Sequence, residues 1–438
     1  MDRTAEVVVV GAGAAGLACA IFAARANPAL RIVVLDGARK VGAKILVSGG
    51  GRCNVTNVRV TPADFYGGNP HVLRRVLAAF SEVQARRFFE EIGVPLHEEE
   101  YGKLFPDSNQ ARTVVDALLA ECQRLHVDVR TQHRVTDVTP GAAARVEVPD
   151  AAGARGFTPA ARPHAFRVIA ESPEGCVAWQ ANNVVLATGG RSLPKTGSDG
   201  FGYELARRLG HDVTPTVPAL DPLVLSGDAH AELSGVTHDV ELTIHVAGAR
   251  PVRIRGPMLW THFGVSGPAA LNASRLWNRA EQAGTPVRIT INLLDGLDFA
   301  AAEHALIEAC QAQPRAQVSS VLRRWLPASV AEAACRWSGL ASQVLAGQLP
   351  REARRRLLHV LTEWPLPVVG TRGYRYAEVT SGGVPLHQID PSTMASRMCP
   401  GLHLVGEILD VDGRLGGFNF QWAWSSGYVA GAALARWA

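Results

Sequence analysis

The chain has 438 residues with 47% hydrophobic and 19% charged side chains, a balance that is ordinary for a soluble globular protein with a large core. Its length exceeds what one core usually supports, so two or three folding units are expected. The formal net charge of +4 is no argument for a nucleic-acid partner, and seven scattered cysteines without a CxxC pair favour a reducing cytosol over a disulfide framework.

The N-terminal segment is predicted to form a strand, a turn, a helix and a second strand. The run EVVVV at 6–10 suits a strand buried on both faces, and RIVVLD at 31–36 suits another. Residues 7–24 carry no charge, but three glycines interrupt them and the acids Asp2 and Glu6 precede them. A signal peptide or membrane span is therefore not predicted here.

Helical patterns follow at 71–92 and 111–125, and polar–apolar alternation at 127–138 and 165–171 then predicts an antiparallel meander. The Ala-, Gly- and Pro-rich stretch at 149–165 is predicted to be a mobile loop. The sequence NNVVLATGG at 182–190 predicts a buried strand that ends in two glycines.

The character of the sequence changes at about residue 191. Strand patterns at 239–248 and 286–294 precede several helical patterns rich in arginine and alanine, between Phe299 and Thr362. A strand pattern followed by glycine, like that of the first segment, recurs near the C-terminus. We therefore expect one discontinuous α/β domain, 1–190 and 373–438, interrupted by an insert at 191–372 with a sheet part (about 191–257 and 364–372) and a helical part (about 258–363).

A dinucleotide-binding fingerprint lies in the first turn. Gly11, Gly13 and Gly16 stand in G-x-G-x-x-G order after a predicted strand and at the start of a predicted helix. The first glycine permits a tight turn, the second lets backbone approach a pyrophosphate, and the helix N-terminus offers free N–H groups to the phosphates. Asp36 ends the second strand, where an acid accepts hydrogen bonds from ribose hydroxyls. FAD and NAD both fit this pattern.

Further glycine loops at 49–51, 189–190 and 416–417 favour FAD. A long ligand that passes several strand ends needs close backbone approach at several points, and no second G-x-G-x-x-G indicates a separate NAD(P) domain. The predicted cofactor contacts are Gly11, Gly13, Ala14, Ala15, Gly16, Asp36, Gly37, Lys44, Ser48, Gly49, Gly50, Gly51, Arg52, Asn54, Ala187, Thr188, Gly189, Gly190, Gly406, Glu407, Asp412, Gly416, Gly417, Asn419 and Gln421.

The chain resembles the BaiN / YhiN / aminoacetone oxidase family of FAD-binding flavoproteins. The resemblance rests on stretches spread from residue 7 to 431, among them VVVVGAGAAGLACA, KILVSGGGRCNVTN, LATGGRSLPKTGSDGFGYELARRLGH, THFGVSGPAALNAS, AEVTSGGVPLHQIDPSTM and GLHLVGEILDVDGRLGGFNFQWAWSSGYVAG. It implies a Rossmann-like FAD/NAD(P)-binding domain with an insert made of a small β-barrel and a helical subdomain. It also implies either reduction of a conjugated C=C bond, in an enone or in a uracil of ribosomal RNA, or oxidation of an amine such as aminoacetone.

Three residues are candidates for catalysis. Reduction of a C=C bond needs a proton donor, and Cys53 follows a glycine nest beside Arg52, two features that would lower its pKa. A buried packing thiol is the alternative. His262, in THFGVSGPA of the insert, is a candidate to cover the active site, although a purely structural role for this histidine is the favoured alternative.

Other residues have weaker assignments. Glu407 is predicted to accept from ribityl hydroxyls, with Asp410 and Asp412 less so, and the helix after Gly417 is predicted to direct its dipole at the flavin. Core packing is expected for Trp422 and Trp424. The basic clusters at 323–327 and 351–358 are RNA-contact candidates, with a solvated helix face as the favoured alternative.

The function expected from the sequence is that of a cytoplasmic FAD-dependent oxidoreductase. NAD(P)H is the expected transient electron donor, and the expected partner is a small-molecule substrate or ribosomal RNA. The alternatives are a flavin amine oxidase and a flavin-loaded binding factor without turnover.

Overall fold

The structure is a computed structural model that describes residues 3–141 and 166–436. The chain forms two compact units, the first comprising Met1–Thr216 and Glu378–Ala438 and the second Val217–Ala377. The mobile loop predicted at 149–165 lies outside the described residues.

The first unit is larger than the predicted discontinuous domain, because residues 191–216 belong to it rather than to the insert. The backbone amides of Arg191 and Ser192 donate to the Thr380 hydroxyl at 2.7 and 3.1 Å. The helix that follows buries Tyr203 and Leu205 in the core of this unit. The change of composition at 191 thus marks a glycine loop and not a domain boundary.

A nine-stranded mixed sheet forms the centre of the first unit. Its hydrogen-bonded order is β20-β21-β22-β10-β1-β2-β7, with β9 also pairing with β10 and β8 with β9. The neighbours β22, β10, β1, β2 and β7 run parallel, and Val8 lies opposite both Val33 and Val184. The strands are β1 (Arg3–Val10), β2 (Ile32–Leu35), β7 (Asp128–Arg130), β8 (Arg134–Pro140), β9 (Phe166–Ser172), β10 (Gly175–Leu186), β20 (Ile389–Asp390), β21 (Ala395–Ser396) and β22 (Leu402–Leu404).

The predicted antiparallel meander is confirmed for β8 and β9, which pair antiparallel, and β9 also pairs antiparallel with β10, which overlaps the buried strand predicted at 182–190. The first part of the predicted stretch forms β7, which does not belong to the meander because it pairs with β2 in parallel. Two smaller sheets complete the unit, β3-β6-β5 and β23-β4. Their strands, together with β19, are β3 (Thr56–Asn57), β4 (Phe65–Tyr66), β5 (Leu96–Glu99), β6 (Lys103–Pro106), β19 (Val379–Ser381) and β23 (Asp412–Gly413).

The first and last helices of this unit pack together along small residues. A Cβ atom at Gly427 would lie 2.6 Å from the carbonyl oxygen of Ala15, and one at Gly431 would lie 2.6 Å from that of Cys19. Only glycine permits such close approach of two helix backbones. The helices are α1 (Ala14–Ala26), α2 (Ala43–Val47), α3 (Pro70–Ala79), α4 (Glu82–Glu91), α5 (Ala111–Arg124), α6 (Phe201–Arg208) and α12 (Phe418–Leu434).

The second unit contains a seven-stranded sheet in the order β17-β16-β13-β14-β15-β12-β18. The two strands at its ends, β17 and β18, are separated in the chain by Pro367 alone. The sheet must therefore curl until its edges approach each other, which is the geometry of a small barrel. The strands of this unit are β11 (Val217–Ala219), β12 (Leu223–Leu225), β13 (Thr237–Val246), β14 (Val252–Thr261), β15 (Gly264–Ser266), β16 (Val287–Asn292), β17 (Trp364–Leu366) and β18 (Val368–Thr371).

Helices pack against this sheet around a core of their own. The helical part predicted at 258–363 is not purely helical, because β15 and β16 lie within it and complete the sheet. Nowhere in the described chain is there a helix with the length and apolar character needed to cross a membrane. The helices of the second unit are α7 (Gly267–Gln282), α8 (Phe299–Ala312), α9 (Val318–Leu322), α10 (Ala328–Trp337) and α11 (Arg351–Glu363).

Candidate functional site

The glycines of the first turn have three different roles. A Cβ at Gly11, where φ is +107°, would lie 2.5 Å from the carbonyl oxygen of Ala187, and one at Gly16 would lie 2.0 Å from that of Gly11. These two glycines are therefore required by packing within the protein. A Cβ at Gly13, by contrast, would meet no atom within 4 Å. Gly13 precedes α1 and leaves open space beside the helix N-terminus, as close approach of a phosphate requires.

Asp36 lies beside this turn, as the fingerprint predicts. One carboxylate oxygen accepts from the backbone N–H of Ala12 at 2.6 Å, and the other accepts from that of Ala38 at 2.7 Å. Each carboxylate oxygen can accept more than one hydrogen bond. Asp36 thus fixes the shape of the glycine turn and keeps acceptor capacity for a ribose.

The SGGG loop has a backbone that few other residues could adopt. Gly49, Gly50 and Gly51 all have positive φ, at 55°, 68° and 85°. A Cβ at Gly50 would meet no atom within 4 Å, so this position is open like Gly13. The Ser48 hydroxyl donates to the carbonyl of Ile45 at 2.8 Å. The loop presents bare backbone on its open side.

The segment after this loop meets the N-terminus of α12. A Cβ at Gly417 would lie 2.5 Å from the backbone of Thr56, and the Asn57 amide donates to the carbonyl of Gly416 at 3.1 Å. With its amide oriented by its hydrogen-bond partners, Asn54 accepts from the N–H of Gly417 at 3.0 Å. No acidic residue lies in the first turn of α12. Two predicted cofactor loops from opposite ends of the chain are therefore joined here.

Lys44 and Glu407 form the polar centre of the site. The Lys44 ammonium donates to one oxygen of Glu407 at 2.5 Å and to the Ser192 hydroxyl at 2.6 Å. The other oxygen of Glu407 accepts from the Ser192 hydroxyl at 3.0 Å and from the backbone N–H of Thr380 at 2.8 Å. A Cβ at Gly190 would lie 2.8 Å from Glu407, so the third glycine loop also belongs to this cluster.

The loop before this cluster packs closely against its surroundings. A Cβ at Gly189 would lie 2.3 Å from the hydroxyl oxygen of Ser198, and one at Gly406 would lie 2.7 Å from the Cβ of Ala15. The Thr188 hydroxyl is buried without a hydrogen-bond partner among the described residues. These contacts connect the 187–190 loop with Ser198, and Gly406 after β22 with α1.

The predicted cofactor loops thus form one continuous series within the first unit. The turn at Gly11 touches Ala187, Gly190 approaches Glu407, and Glu407 holds Lys44 of α2. This arrangement fits an elongated dinucleotide such as FAD. Open backbone positions occur at Gly13 and Gly50, and the N-termini of α1 and α12 carry no acid in their first turns.

The prediction that Cys53 has a lowered pKa is wrong. Its side chain is 0% exposed, and burial raises its pKa to about 12 although Ser48 opposes the shift. At Cys53 φ is +63°, and the thiol lies in the core rather than on the open side of the glycine loop. A thiol without accessible surface touches neither cofactor nor substrate, so the packing alternative describes it.

Arg52 is turned towards protein groups. Its guanidinium donates to Glu99 at 2.6 Å and lies 4.1 Å from the centre of the Phe105 ring. Such a position makes Arg52 a structural support for the segment after the glycine loop.

Three predicted contacts near α12 have structural roles. Gln421 is fully buried and bonds Thr56, Phe80 and Ser425, so the prediction that it contacts the cofactor is wrong. Asn419 exchanges two hydrogen bonds of 2.8 Å with the backbone of Gly413. Asp412 is buried on β23. Trp422 and Trp424 are buried in the core, as expected.

His262 and the two basic clusters lie in the second unit. His262 is exposed in the turn between β14 and β15, with its ring 5.1 Å from that of Phe263. In the basic clusters, Arg323 pairs with Glu332 at 2.8 Å and Arg354 with Glu303 at 3.4 Å. Arg323 and Arg354 thus engage acids of their own unit, which agrees with the solvated-face alternative.

Sequence reasoning missed Ser192 and Thr380. Both lie beside glycine pairs, Gly189–Gly190 and Gly382–Gly383, and small hydroxyl residues next to such loops are the available signal. It also missed a cavity of about 350 Å³ in the first unit. This cavity is lined by Asn57, Val58, Arg59, Thr61, Asp64, Glu98, Tyr101, Gly102 and Arg414.

Known proteins are similar to this chain over nearly its full length. The chain matches the HI0933-like protein Rossmann domain over residues 5–158 and 160–433. A Haemophilus influenzae protein named "Ribosomal RNA dihydrouridine synthase" is 33% identical over 440 residues, which cover 100% of both chains. The Escherichia coli protein of the same name is 35% identical over 424 residues, covering 97% of this chain and 96% of that one.

A third relative carries a different name. The Clostridium scindens protein named "3-dehydro-bile acid delta(4,6)-reductase" is 30% identical over 431 residues, covering 98% of this chain and 99% of that one. Among solved structures, the open conformation of a flavocytochrome c3 fumarate reductase has a TM-score of 0.50 at 14% identity, covering 99% of this chain and 78% of that one, a likeness of fold alone. The chain belongs to the HI0933-like Rossmann-domain family.

Proposed function

We propose that this FAD-dependent oxidoreductase uses NAD(P)H to reduce a polarised carbon–carbon double bond, and that its substrate is a uracil of ribosomal RNA. The observation that carries the proposal is the full-length identity of 33% and 35% to two proteins named ribosomal RNA dihydrouridine synthase. Dihydrouridine differs from uridine by reduction of one ring C=C bond. The relative named bile acid reductase supports the same class of chemistry at 30% identity.

The residues of the first unit have distinct tasks in this function. The open backbone at Gly13 and the N-terminus of α1 would hold the pyrophosphate, and Asp36 would accept from a ribose. The Lys44–Glu407–Ser192 cluster would orient the central chain of the cofactor. The N-terminus of α12 would stabilise negative charge beside it. FAD, when bound, supplies the hydride chemistry.

The cavity of about 350 Å³ supports a polar ring over a steroid. Arg59 and Glu98 line it without an ion pair to any described residue, and Tyr101, another lining residue, is 56% exposed. The imide edge of uracil offers acceptors to a guanidinium and a donor to a carboxylate, and its ring can stack on tyrosine. A steroid would leave these polar groups unpaired at a cost in free energy.

The electron donor and the compartment are further parts of the proposal. The chain has one G-x-G-x-x-G fingerprint, so NAD(P)H would bind transiently rather than on a domain of its own. All seven cysteines are free, which suits a reducing cytosol.

Anaerobic mixing of the purified protein with NADH or NADPH tests the donor. A reductase predicts rapid loss of the visible flavin absorption with one of them and recovery when a uridine-containing ribosomal RNA fragment is added. Loss with aminoacetone but with neither nucleotide would identify an amine oxidase instead. Flavin that none of these compounds reduces would indicate a binding factor.

Mapping of dihydrouridine in ribosomes from a deletion strain tests the substrate. We expect one site to lose its dihydrouridine and a plasmid copy of the gene to restore it. An unchanged map would exclude ribosomal RNA, and recovery of reduced enzyme by a steroid enone would then assign the other substrate class.

A further inference from the structure

Asn57 is a buried asparagine whose side-chain amide binds three backbone groups. Its Nδ2 donates to the carbonyl of Tyr101 at 3.0 Å and to the carbonyl of Gly416 at 3.1 Å. Its Oδ1 accepts from the backbone N–H of Arg59 at 3.3 Å. Because carbonyls only accept hydrogen bonds and N–H groups only donate them, these partners fix the orientation of the amide. The residue is 3% exposed, so bulk water does not compete for these bonds.

The partners of Asn57 connect the segments that line the cavity of about 350 Å³ in the first unit. The lining residues come from three parts of the chain, 57–64, 98–102 and Arg414. Arg59 belongs to the first part and Tyr101 to the second, while Gly416 lies two residues after Arg414 and two before the start of α12. One amide thus ties the cavity to the helix whose N-terminus belongs to the candidate flavin site.

Tyr101 is held between β5 and β6 in a backbone conformation that tyrosine rarely adopts. Its φ is +63°, and Gly102 follows with a φ of +70°. This left-handed region costs free energy in a residue other than glycine and persists only where surrounding contacts fix it. The bond from Asn57 and a bond of 2.8 Å from the N–H of Val58 to the Gly102 carbonyl are such contacts. An exposed ring on a fixed backbone is suited to stacking on a planar ligand.

We propose that Asn57 is the positioning residue of the uracil site and that it acts through Tyr101 and Arg59. This proposal rests on the proposed function. The amide holds the backbones of both residues against the loop before α12, so the stacking ring and the guanidinium stay in place beside the cofactor site. Reacting groups must be held within a narrow range of distances, and a displacement of about 1 Å costs about a hundredfold in rate.

A purely structural role for Asn57 predicts a different result. The amide would then only satisfy buried backbone groups, and its loss would lower stability without affecting the substrate steps of the folded enzyme. Asn292 of the second unit is a residue of that kind. It is buried, and its amide donates to the carbonyl of Leu297 and accepts from the N–H of Leu294, both at 2.8 Å. Asn292→Ala is therefore a matched control.

Single-turnover kinetics of holoenzyme variants provide the first measurement. We expect Asn57→Ala, Asn57→Ser and Asn292→Ala to retain FAD and to be reduced by NAD(P)H at the wild-type rate. Reoxidation by a saturating uridine-containing RNA fragment should be at least about tenfold slower in Asn57→Ala and unchanged in Asn292→Ala. Asn57→Ser should be intermediate, because its hydroxyl can donate one of the two bonds. This variant also serves if Asn57→Ala does not fold.

A double variant shows whether Asn57 acts through Tyr101. Both Asn57→Ala and Tyr101→Ala would impair the same stacking contact. The loss of reoxidation rate in Asn57→Ala/Tyr101→Ala should therefore be smaller than the product of the two single losses. A loss equal to that product would overturn the proposed route through Tyr101.

Equilibrium dialysis with RNA measures the same positioning without turnover. The probes are the short uridine-containing fragment and a copy in which that nucleotide lacks its base. The wild-type holoenzyme should bind the uridine fragment about tenfold more tightly than the abasic copy, because one stacked base contributes about this much. The preference should be lost in Asn57→Ala and in Tyr101→Ala and kept in Asn292→Ala.

The two kinds of measurement separate this proposal from the proposed function. Suppose that RNA does not reoxidise the wild type, yet the preference for the base is present and disappears in Asn57→Ala. The proposed function then fails, and the role of Asn57 in positioning the base stands. If RNA reoxidises the wild type and Asn57→Ala reacts and binds identically, the proposed function stands and the role of Asn57 is overturned. Absence of any preference for the base in the wild type would overturn it as well.

Discussion

The ammonium group of Lys44 lies 2.5 Å from a carboxylate oxygen of Glu407, although the two residues are 363 positions apart in the chain. Both side chains are mostly buried, and Ser192 bonds to both of them. A pair of this kind joins the N-terminal and C-terminal segments of the first unit at the point where the glycine loops meet. Stability and cofactor binding are therefore coupled through it.

Removal of one partner of this pair should be more harmful than removal of both. Lys44→Met would leave Glu407 partly buried without its cation and should lower the free energy of unfolding by about 1–3 kcal/mol. The double variant Lys44→Met/Glu407→Gln should recover part of this loss. Urea denaturation of the wild-type apoprotein, Lys44→Met, Glu407→Gln and the double variant measures the coupling, and strictly additive losses would show that the pair contributes nothing.

The second and third glycines of the fingerprint, Gly13 and Gly16, should respond differently to alanine. Gly13→Ala places a Cβ in open space at an extended φ of −83°, so it should cost at most about 1 kcal/mol of stability but weaken FAD binding by about tenfold or more. Gly16→Ala forces a Cβ to 2.0 Å from a carbonyl oxygen and should destabilise the fold itself by about 3 kcal/mol or more.

Thermal unfolding of the apoproteins and FAD titration separate these two effects. Normal FAD affinity in Gly13→Ala would contradict the assignment of that opening to the cofactor. An unchanged melting temperature in Gly16→Ala would contradict the packing of the turn.

The native protein should have one reactive thiol. Of the seven free cysteines, Cys176 is exposed and the other six are buried, Cys53 with a pKa of about 12. A thiol reagent should therefore modify one equivalent rapidly, Cys176→Ser should abolish that reaction, and Cys53→Ala should leave enzyme turnover unchanged. Rapid modification of Cys53 in the native state, located by mass spectrometry, would contradict the buried position of this thiol.

Acid should destabilise the first unit through Glu121. Hydrogen bonds from Arg124 and Arg25, both at 2.7 Å, lower the pKa of Glu121 from 4.5 to about 2 although its burial opposes the shift. A lowered pKa gives stability above pH 4.5, and this stability is lost as the pH falls towards about 2. The contribution at neutral pH is about 2–3 kcal/mol.

Denaturant unfolding of wild type, Glu121→Gln and the control Glu171→Gln, which changes an exposed acid on β9, measures the effect across this pH range. The difference between wild type and Glu121→Gln should shrink as the pH falls, whereas the control should follow the wild type throughout. A difference that is constant with pH would show that the ion pairs do not titrate as the structure implies.

The main elements of the fold could be predicted because local pattern determines them. The valine run of β1, the strand β2 and the meander β8–β9–β10 have short-range periodicity that survives in the structure. The boundary at 191 could not be predicted, because Arg191 and Ser192 are bound to the first unit by Thr380, a residue nearly two hundred positions away. The strand pattern at 286–294 predicted β16, but its pairing with β13 could not be predicted, because the two strands are distant in sequence.

The candidate site shows the same division between local and distant information. The glycine spacing that identifies a dinucleotide turn is local, and so is the acid at Asp36. The burial of Cys53 and Gln421 depends on which side of a loop or helix faces the core, and residue type did not reveal it.

By itself the sequence determined the class of this protein, because bare-backbone loops at fixed spacing after buried strands require a particular kind of ligand whatever surrounds them. Only the tertiary structure decided which side chains reach that ligand. Burial and ion pairing depend on residues that are hundreds of positions apart in the sequence. Such residues, for example Lys44 and Glu407, come into contact only when the chain folds.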